Sequence, residues 1–206
     1  MNKIEEFNKK LLVEGNDDQH VVWALCKEFN VPKVFDVVDC DGIDKLFNRF
    51  KVECSIKKSE VFGIVIDADT NLQSRWTSVS KILINNNFNI PTTLPKEGLI
   101  FDNGEQKIGV WIMPNNNLNG ILEDFISFLV PQEDNLMPIA TETLQNIENK
   151  GLDKYRPHKS KAKIHTWLAW QEEPGKPFGQ SITNKVLSTD NDTCQKFVTW
   201  LTELFK

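Results

Sequence analysis

The stretch Val61-Phe62-Gly63-Ile64-Val65-Ile66-Asp67-Ala68-Asp69-Thr70 decides the fold. Val61 to Ile66 is continuously apolar and rich in β-branched residues. Such a run reads as a strand covered on both faces, as parallel strands between helices are. It breaks into two aspartates separated by one alanine. Leu72, Trp76, Val79, Ile82 and Leu83 then recur at helical spacing, and Asn85-Asn86-Asn87 stops them. A buried strand, a polar strand end and an amphipathic helix in that order make one step of an alternating α/β sheet.

The same step recurs on both sides. Upstream, Lys10 to Val13 reads as a short buried strand ending in Glu14-Gly15, and Asn16 to Phe29 as a helix. Asp17 and Asp18 open that helix, where carboxylates cap free amides and oppose the dipole. Val34 to Asp39 reads as another strand, closed by Asp41-Gly42, with Ile43, Leu46, Phe47 and Phe50 marking the helix after it. Downstream, Ile108 to Met113 is a fourth strand, ended by Pro114 and Asn115-Asn116-Asn117, and Thr93 to Gly104 before it suits a hairpin arm. Gly120 to Val130 is predicted helical, with Leu122, Phe125, Ile126 and Leu129 on one face. Past Pro131 the pattern turns wholly helical, over 139–150, 161–171 and 193–205, with a loop at Pro174-Gly175-Lys176-Pro177. Trp167 and Trp170 read as core. Trp200, Leu201, Leu204 and Phe205 read as the face that docks the last helix on the sheet. The expected organisation is a core over 1–130 and a helical extension over 131–206, packed as one unit.

Composition narrows the function. The chain has 206 residues and a formal charge of -5, so a broad basic footprint for duplex nucleic acid is absent. No run approaches the roughly 20 apolar residues of a bilayer span, and MNKIEEFNKK carries no apolar leader. A cytoplasmic protein without a membrane partner is expected. Cys26, Cys40, Cys54 and Cys194 form no CxxC, which disfavours zinc ribbons and thioredoxin-like chemistry. Neither GxxxxGK[ST] nor GxGxxG occurs, which excludes a P-loop NTPase and gives no sign of a dinucleotide fold.

Acids gather at the ends of the predicted strands: Glu14, then Asp39 and Asp41, then Asp67 and Asp69. Ligands of open α/β sheets bind outside the carboxyl ends of strands. Carboxylates crowded there repel one another unless a cation lies between them, and hard oxygens select Mg²⁺, Mn²⁺ or Ca²⁺. Asp39 and Asp41 read as turn residues beside Gly42 rather than as ligands.

LLVEGNDD followed by IVIDADT resembles the Toprim domain, whose motif is a Glu after one strand and DxD after a later one. Glu14, Asp67 and Asp69 match it. Asp18 resembles the extra acid of the overcoming-lysogenization-defect (OLD) nucleases. WIMPNNNLNGILEDF and HKSKAKIHTWLAW resemble segments of small bacterial Toprim-like proteins, and the first would bring in Glu123 and Asp124. The resemblance implies a Toprim-like, Rossmann-like, mostly parallel sheet flanked by helices with a helical C-terminal portion. It implies Mg²⁺ or Mn²⁺ on Glu14, Asp18, Asp67, Asp69 and Glu123, as one ion or as two roughly 3.5–4 Å apart. Glu14 would be catalytic. A late lysine would neutralise the transition state, with Lys163 favoured over Lys161. Lys159, Lys161 and Lys163 would meet nucleic acid, DNA or RNA.

The departures from the family narrow it further. A type IA topoisomerase needs a nucleophilic tyrosine on another domain, and the one tyrosine here is Tyr155. The zinc module common in primases and the ATPase half of OLD proteins are both missing. The expected function is metal-dependent phosphodiester hydrolysis of nucleic acid. The alternatives are a non-catalytic metal- or nucleic-acid-binding module working with a partner, and an enzyme for a small phosphoester.

Overall fold

The computed structural model describes residues 8–56 and 59–206. The polar N-terminal stretch therefore falls, over residues 1–7, outside the described residues. The elements alternate as the pattern of apolar residues dictates: β1 (Lys9–Val13), α1 (Asn16–Glu28), β2 (Asp36–Asp39), α2 (Ile43–Ile56), β3 (Val61–Asp67) and α3 (Leu72–Asn85). There follow β4 (Leu99–Asp102), β5 (Lys107–Met113), α4 (Leu122–Phe128), α5 (Leu136–Asn149), α6 (Lys159–Ala169), α7 (Phe178–Thr183) and α8 (Asp192–Phe205).

The strands form one five-stranded sheet in the order β2-β1-β3-β5-β4, a mixed α/β architecture. All neighbours are parallel except β4, which runs antiparallel to β5 at the edge. From β1 the chain moves outward to β2, then returns to the other side of β1 to lay down β3. The strand order reverses between β1 and β3, so a crevice opens above their carboxyl ends.

Side chains alternate across the sheet with period two. Leu11, Val13, Val65, Trp111 and Met113 face α1, α4, α6 and α8, whereas Leu12, Ile64, Ile66, Val110 and Ile112 face α2 and α3. Both faces are thus buried, which accounts for the unbroken apolar run of β3. Gly63 and Gly109 lie opposite each other in the β3–β5 register. A Cβ on either would stand 2.6 or 2.4 Å from Leu204 Cδ2. Their bare backbones form the seat into which α8 lowers Leu204, while Trp200 Nε1 donates to the Leu99 carbonyl at 3.0 Å.

Several local expectations are corrected. The strand expected from Val34 begins at Asp36, because the Val34 N–H turns back on the Pro32 carbonyl at 2.9 Å. The helix expected from Gly120 begins at Leu122, because Gly120 has φ 145° and its N–H and carbonyl are both bonded to Asp69. α5 begins before residue 139: Asp134 Oδ1 accepts the Met137 N–H at 2.6 Å, and Pro138 is tolerated in a first turn. α6 starts at Lys159 and ends at Ala169, so Trp170, expected in the core, stands 39% exposed past its end. α7 is an additional helix; the expected loop before it is present, and Phe178 and Ile182 are spaced to bury one helical face. The four cysteines are free thiols, and no helix of the described residues is long and apolar enough to cross a membrane.

Candidate metal centre

The crevice at the strand reversal is a cleft of about 450 Å³ lined by Glu14, Asp18, Asp67, Glu123 and Lys161, with Asp17, Asp39 and Asp41 at its margin. Each acid is placed by a local structural need. Glu14 follows the last residue of β1, and its Oε1 accepts the Asp67 backbone N–H at 2.7 Å. Asp67 ends β3, and its Oδ1 accepts the Leu122 N–H at 3.0 Å at the start of α4. Asp18 is the third residue of α1 and reaches back to the Gly15 N–H at 3.1 Å, one half of a capping box. Asp124 does the same at α4, accepting the Ile121 N–H at 2.9 Å and the Ser160 hydroxyl at 2.7 Å. That fixes α6 against α4. Glu123, one residue earlier, is thereby turned into the cleft, where it is buried and meets Lys161 Nζ at 3.2 Å.

Not every expected residue reaches the cleft. Asp69 takes a left-handed φ of 52°, exchanges two backbone hydrogen bonds with Gly120 and pairs with Arg75. It lines a neighbouring depression with Ser74 and Ser78 rather than the cleft of Asp67. Asp39 and Asp41, read from the sequence as turn residues, do line the cleft, but Asp39 accepts the Asp41 N–H at 2.8 Å and Asp41 pairs with Lys45, so both serve the turn. Lys159 is bound to Glu148 at 2.8 Å. Lys163 is absent from the cleft wall; the lysine that lines it is Lys161. Helical spacing does not separate the two, because Lys161 lies one turn before Ile164 and Lys163 one turn before Trp167, both buried. Arg75, which pairs with Asp69 and lies over the Phe47 ring, was missed by sequence reasoning altogether.

Burial and mutual repulsion set the charge state of the site. Burial pushes the Asp67 carboxyl up to about 9, helped by the charges of Glu14, Asp18, Glu123 and Asp69. Burial, then Glu14, pushes Asp18 up to about 7. Glu14 is raised by burial, against the opposing effects of the Asp67 N–H and the Arg75 charge. For Lys161, burial favours the neutral amine, but Glu123, Asp67 and Asp17 together outweigh it and raise the ammonium's pKa. Near neutral pH the cleft therefore holds protons on its carboxyls, Asp67 first, in place of the full negative charge of its acids.

In donor chemistry the residues fit a hard divalent cation: carboxylate oxygens, with no thiol or imidazole among those lining the cleft. In spacing they are open. Among the described residues no three His, Cys, Asp or Glu side chains converge closely enough to hold an ion by themselves.

A family model described as "Protein of unknown function (DUF3226)" matches residues 8–206. The chain belongs to the DUF3226 family. No curated protein matches it. Solved structures of the C-terminal region of the Xanthomonas campestris pv. campestris OLD protein are similar to this DUF3226 chain at 14% identity. The one phased with mercury has a TM-score of 0.49 over 98% of both chains. The one phased with iodine has a TM-score of 0.49 over 98% of this chain and 97% of that one. Identity that low transfers no residue role.

Proposed function

We propose that this DUF3226 protein is a phosphodiesterase that cleaves nucleic acid with Mg²⁺ or Mn²⁺. The observation that supports the reading most is the cluster of Glu14, Asp18, Asp67 and Glu123 in one cleft at the strand reversal, with Lys161 the lysine on its wall. Like charges buried together are costly, and a cation among them relieves that cost. Asp67, with Glu14, Asp18 or Glu123, would hold the ion. A divalent ion there would supply charge neutralisation at a phosphate and a water of lowered pKa. Mg²⁺ commonly takes one or two protein carboxylates and completes its shell with water and substrate phosphate. The open spacing of these acids suits a centre that the substrate completes.

The chain's own groups do the rest. The Asp67 N–H fixes the Glu14 carboxylate and the Leu122 N–H fixes that of Asp67, so both face the cleft in set orientations. Lys161 stands beside Glu123 as a cation able to offset charge developing on phosphate oxygens. This reading gives Asp69 and Lys163 no part in the set.

Cleavage of labelled single-stranded and duplex DNA and RNA, with Mg²⁺, Mn²⁺ or EDTA, tests the reading. Metal-dependent cutting that disappears in Asp67→Asn and Glu14→Gln supports it. Cutting that survives both substitutions comes from a contaminant and sinks it. Metal-dependent binding without turnover favours a non-catalytic module, the role that the open spacing of the acids also suits.

A further inference from the structure

A second set of residues runs away from the acidic cleft along α1. Asn16, His20, Trp23 and Lys27 recur at helical steps and form one stripe of the helix, diametrically opposite the buried Val21, Val22 and Leu25. Phe178, Gly179, Gln180 and Thr183 of α7 make the facing wall of a groove of about 550 Å³. Gly179 permits this approach, since a Cβ there would stand 2.7 Å from the His20 carbonyl oxygen.

The groove is continuous with its neighbours. Asn16 and Asp17 line both it and the acidic cleft. Trp23 and Lys27 line both it and a further depression of about 340 Å³ that adds Lys33 and Phe35. Trp23, at the join, is 47% exposed and meets the His20 ring edge-on at 5.2 Å. Among the described residues, Lys27 and Lys33 form no ion pair. The track thus begins at carboxylates suited to a metal ion, passes an open indole and ends at two free cations. From Asn16 to Lys27 it spans about 16 Å at about 1.5 Å per helical residue, the length of a short stretch of strand.

We infer that the α1–α7 groove seats a single strand of nucleic acid, with a base stacked on Trp23 and phosphates on Lys27 and Lys33, and leads it into the acidic cleft. An exposed indole beside two cations takes the face of an unpaired base, and bases stacked within a duplex offer no free face. The inference deepens the proposed function and rests on it for what happens in the cleft, but not for binding in the groove.

The test measures anisotropy of fluorescein-labelled oligothymidylate, oligouridylate and a duplex of equal length, in EDTA, on the full chain. The expected result is preference for the single strands, about tenfold weaker single-strand binding by Trp23→Ala, and recovery in Trp23→Phe. Lys27→Gln with Lys33→Gln should flatten the salt dependence by about 0.7 of a log–log unit for each phosphate left without its lysine. Equal single-strand binding by Trp23→Ala and wild type, or preference for duplex, overturns the inference. So does failure of the wild type to bind any strand, which would leave the groove to a protein partner. Hydrolysis of bis(p-nitrophenyl) phosphate, a diester with no strand to route, is measured alongside. Its absence counts against the phosphodiesterase reading and leaves the strand result standing. Its presence, with strand binding indifferent to Trp23, counts against the groove alone.

Discussion

Glu14 Oε1 accepts the Asp67 backbone N–H at 2.7 Å, so the acid that ends β1 holds the end of β3. Asp67 in turn holds the first turn of α4 through the Leu122 N–H at 3.0 Å. Both carboxylates have a structural task, yet both remain on the cleft wall. The hydrogen bonds that fix their direction also keep them close enough to repel.

Burial, with that repulsion added to it, has a measurable sign. The Asp67 carboxyl sits at about 9 against an ordinary value of 3.8, so the folded chain holds a proton that the unfolded chain releases. The stabilising share of this group is full below about 4 and is lost as pH rises towards about 9. Asp18 adds the same trend up to about 7. Urea titrations in EDTA should therefore show stability falling across this range. Asp67→Asn, which keeps an oxygen for the Leu122 N–H, should flatten the curve and stabilise the protein by about 1–2 kcal/mol at pH 8.

Protons and a divalent ion compete for the same oxygens. The rise in unfolding midpoint caused by millimolar Mn²⁺ should be larger at pH 8.5 than at pH 6. Glu14→Gln combined with Asp67→Asn should abolish it. A midpoint shift of equal size in that double variant places the ion elsewhere.

Lys161 and Lys163 should separate cleanly. Lys161→Met leaves the buried Glu123 without its cation, and cleavage should fall by about a hundredfold. Half of the Lys161 side chain is exposed, so the loss of stability should stay near 1 kcal/mol. Lys163→Met should leave rate and midpoint close to wild type. The reverse ranking in a cleavage assay would falsify the placement of Lys161.

Gly109→Ala should cost about 2–3 kcal/mol, because its new methyl meets Leu204 and Trp200 inside van der Waals distance. Leu204→Val in the same chain should recover part of that loss. Additive losses in the double variant, measured by urea unfolding, would show that the two positions do not touch.

The fold was legible where the signal is local. The β-branched run of β3 announces a strand buried on both faces, and the same run ends in the acid that borders the cleft. Glu14 and Asp67 could be singled out because both follow predicted strands. Placement that depends on a distant partner was not legible. Asp69 belongs to the same three-residue motif as Asp67, but its left-handed backbone answers to Gly120, far along the chain. Lys161 owes its place to Asp124 and Ser160, which set α6 on α4. Trp170 stands exposed because its helix stops one residue short of it.

The glycine seat of Leu204 bears on how the chain matures during synthesis. β3 and β5 are made early, and the helix that covers the glycine strip they share is α8. At roughly 5–20 residues per second, β3 waits several seconds on the ribosome before α8 can reach it. Throughout that interval a strip of sheet stays open to water or to a chaperone. The last helix, rather than any strand, sets the moment at which the newborn sheet is closed.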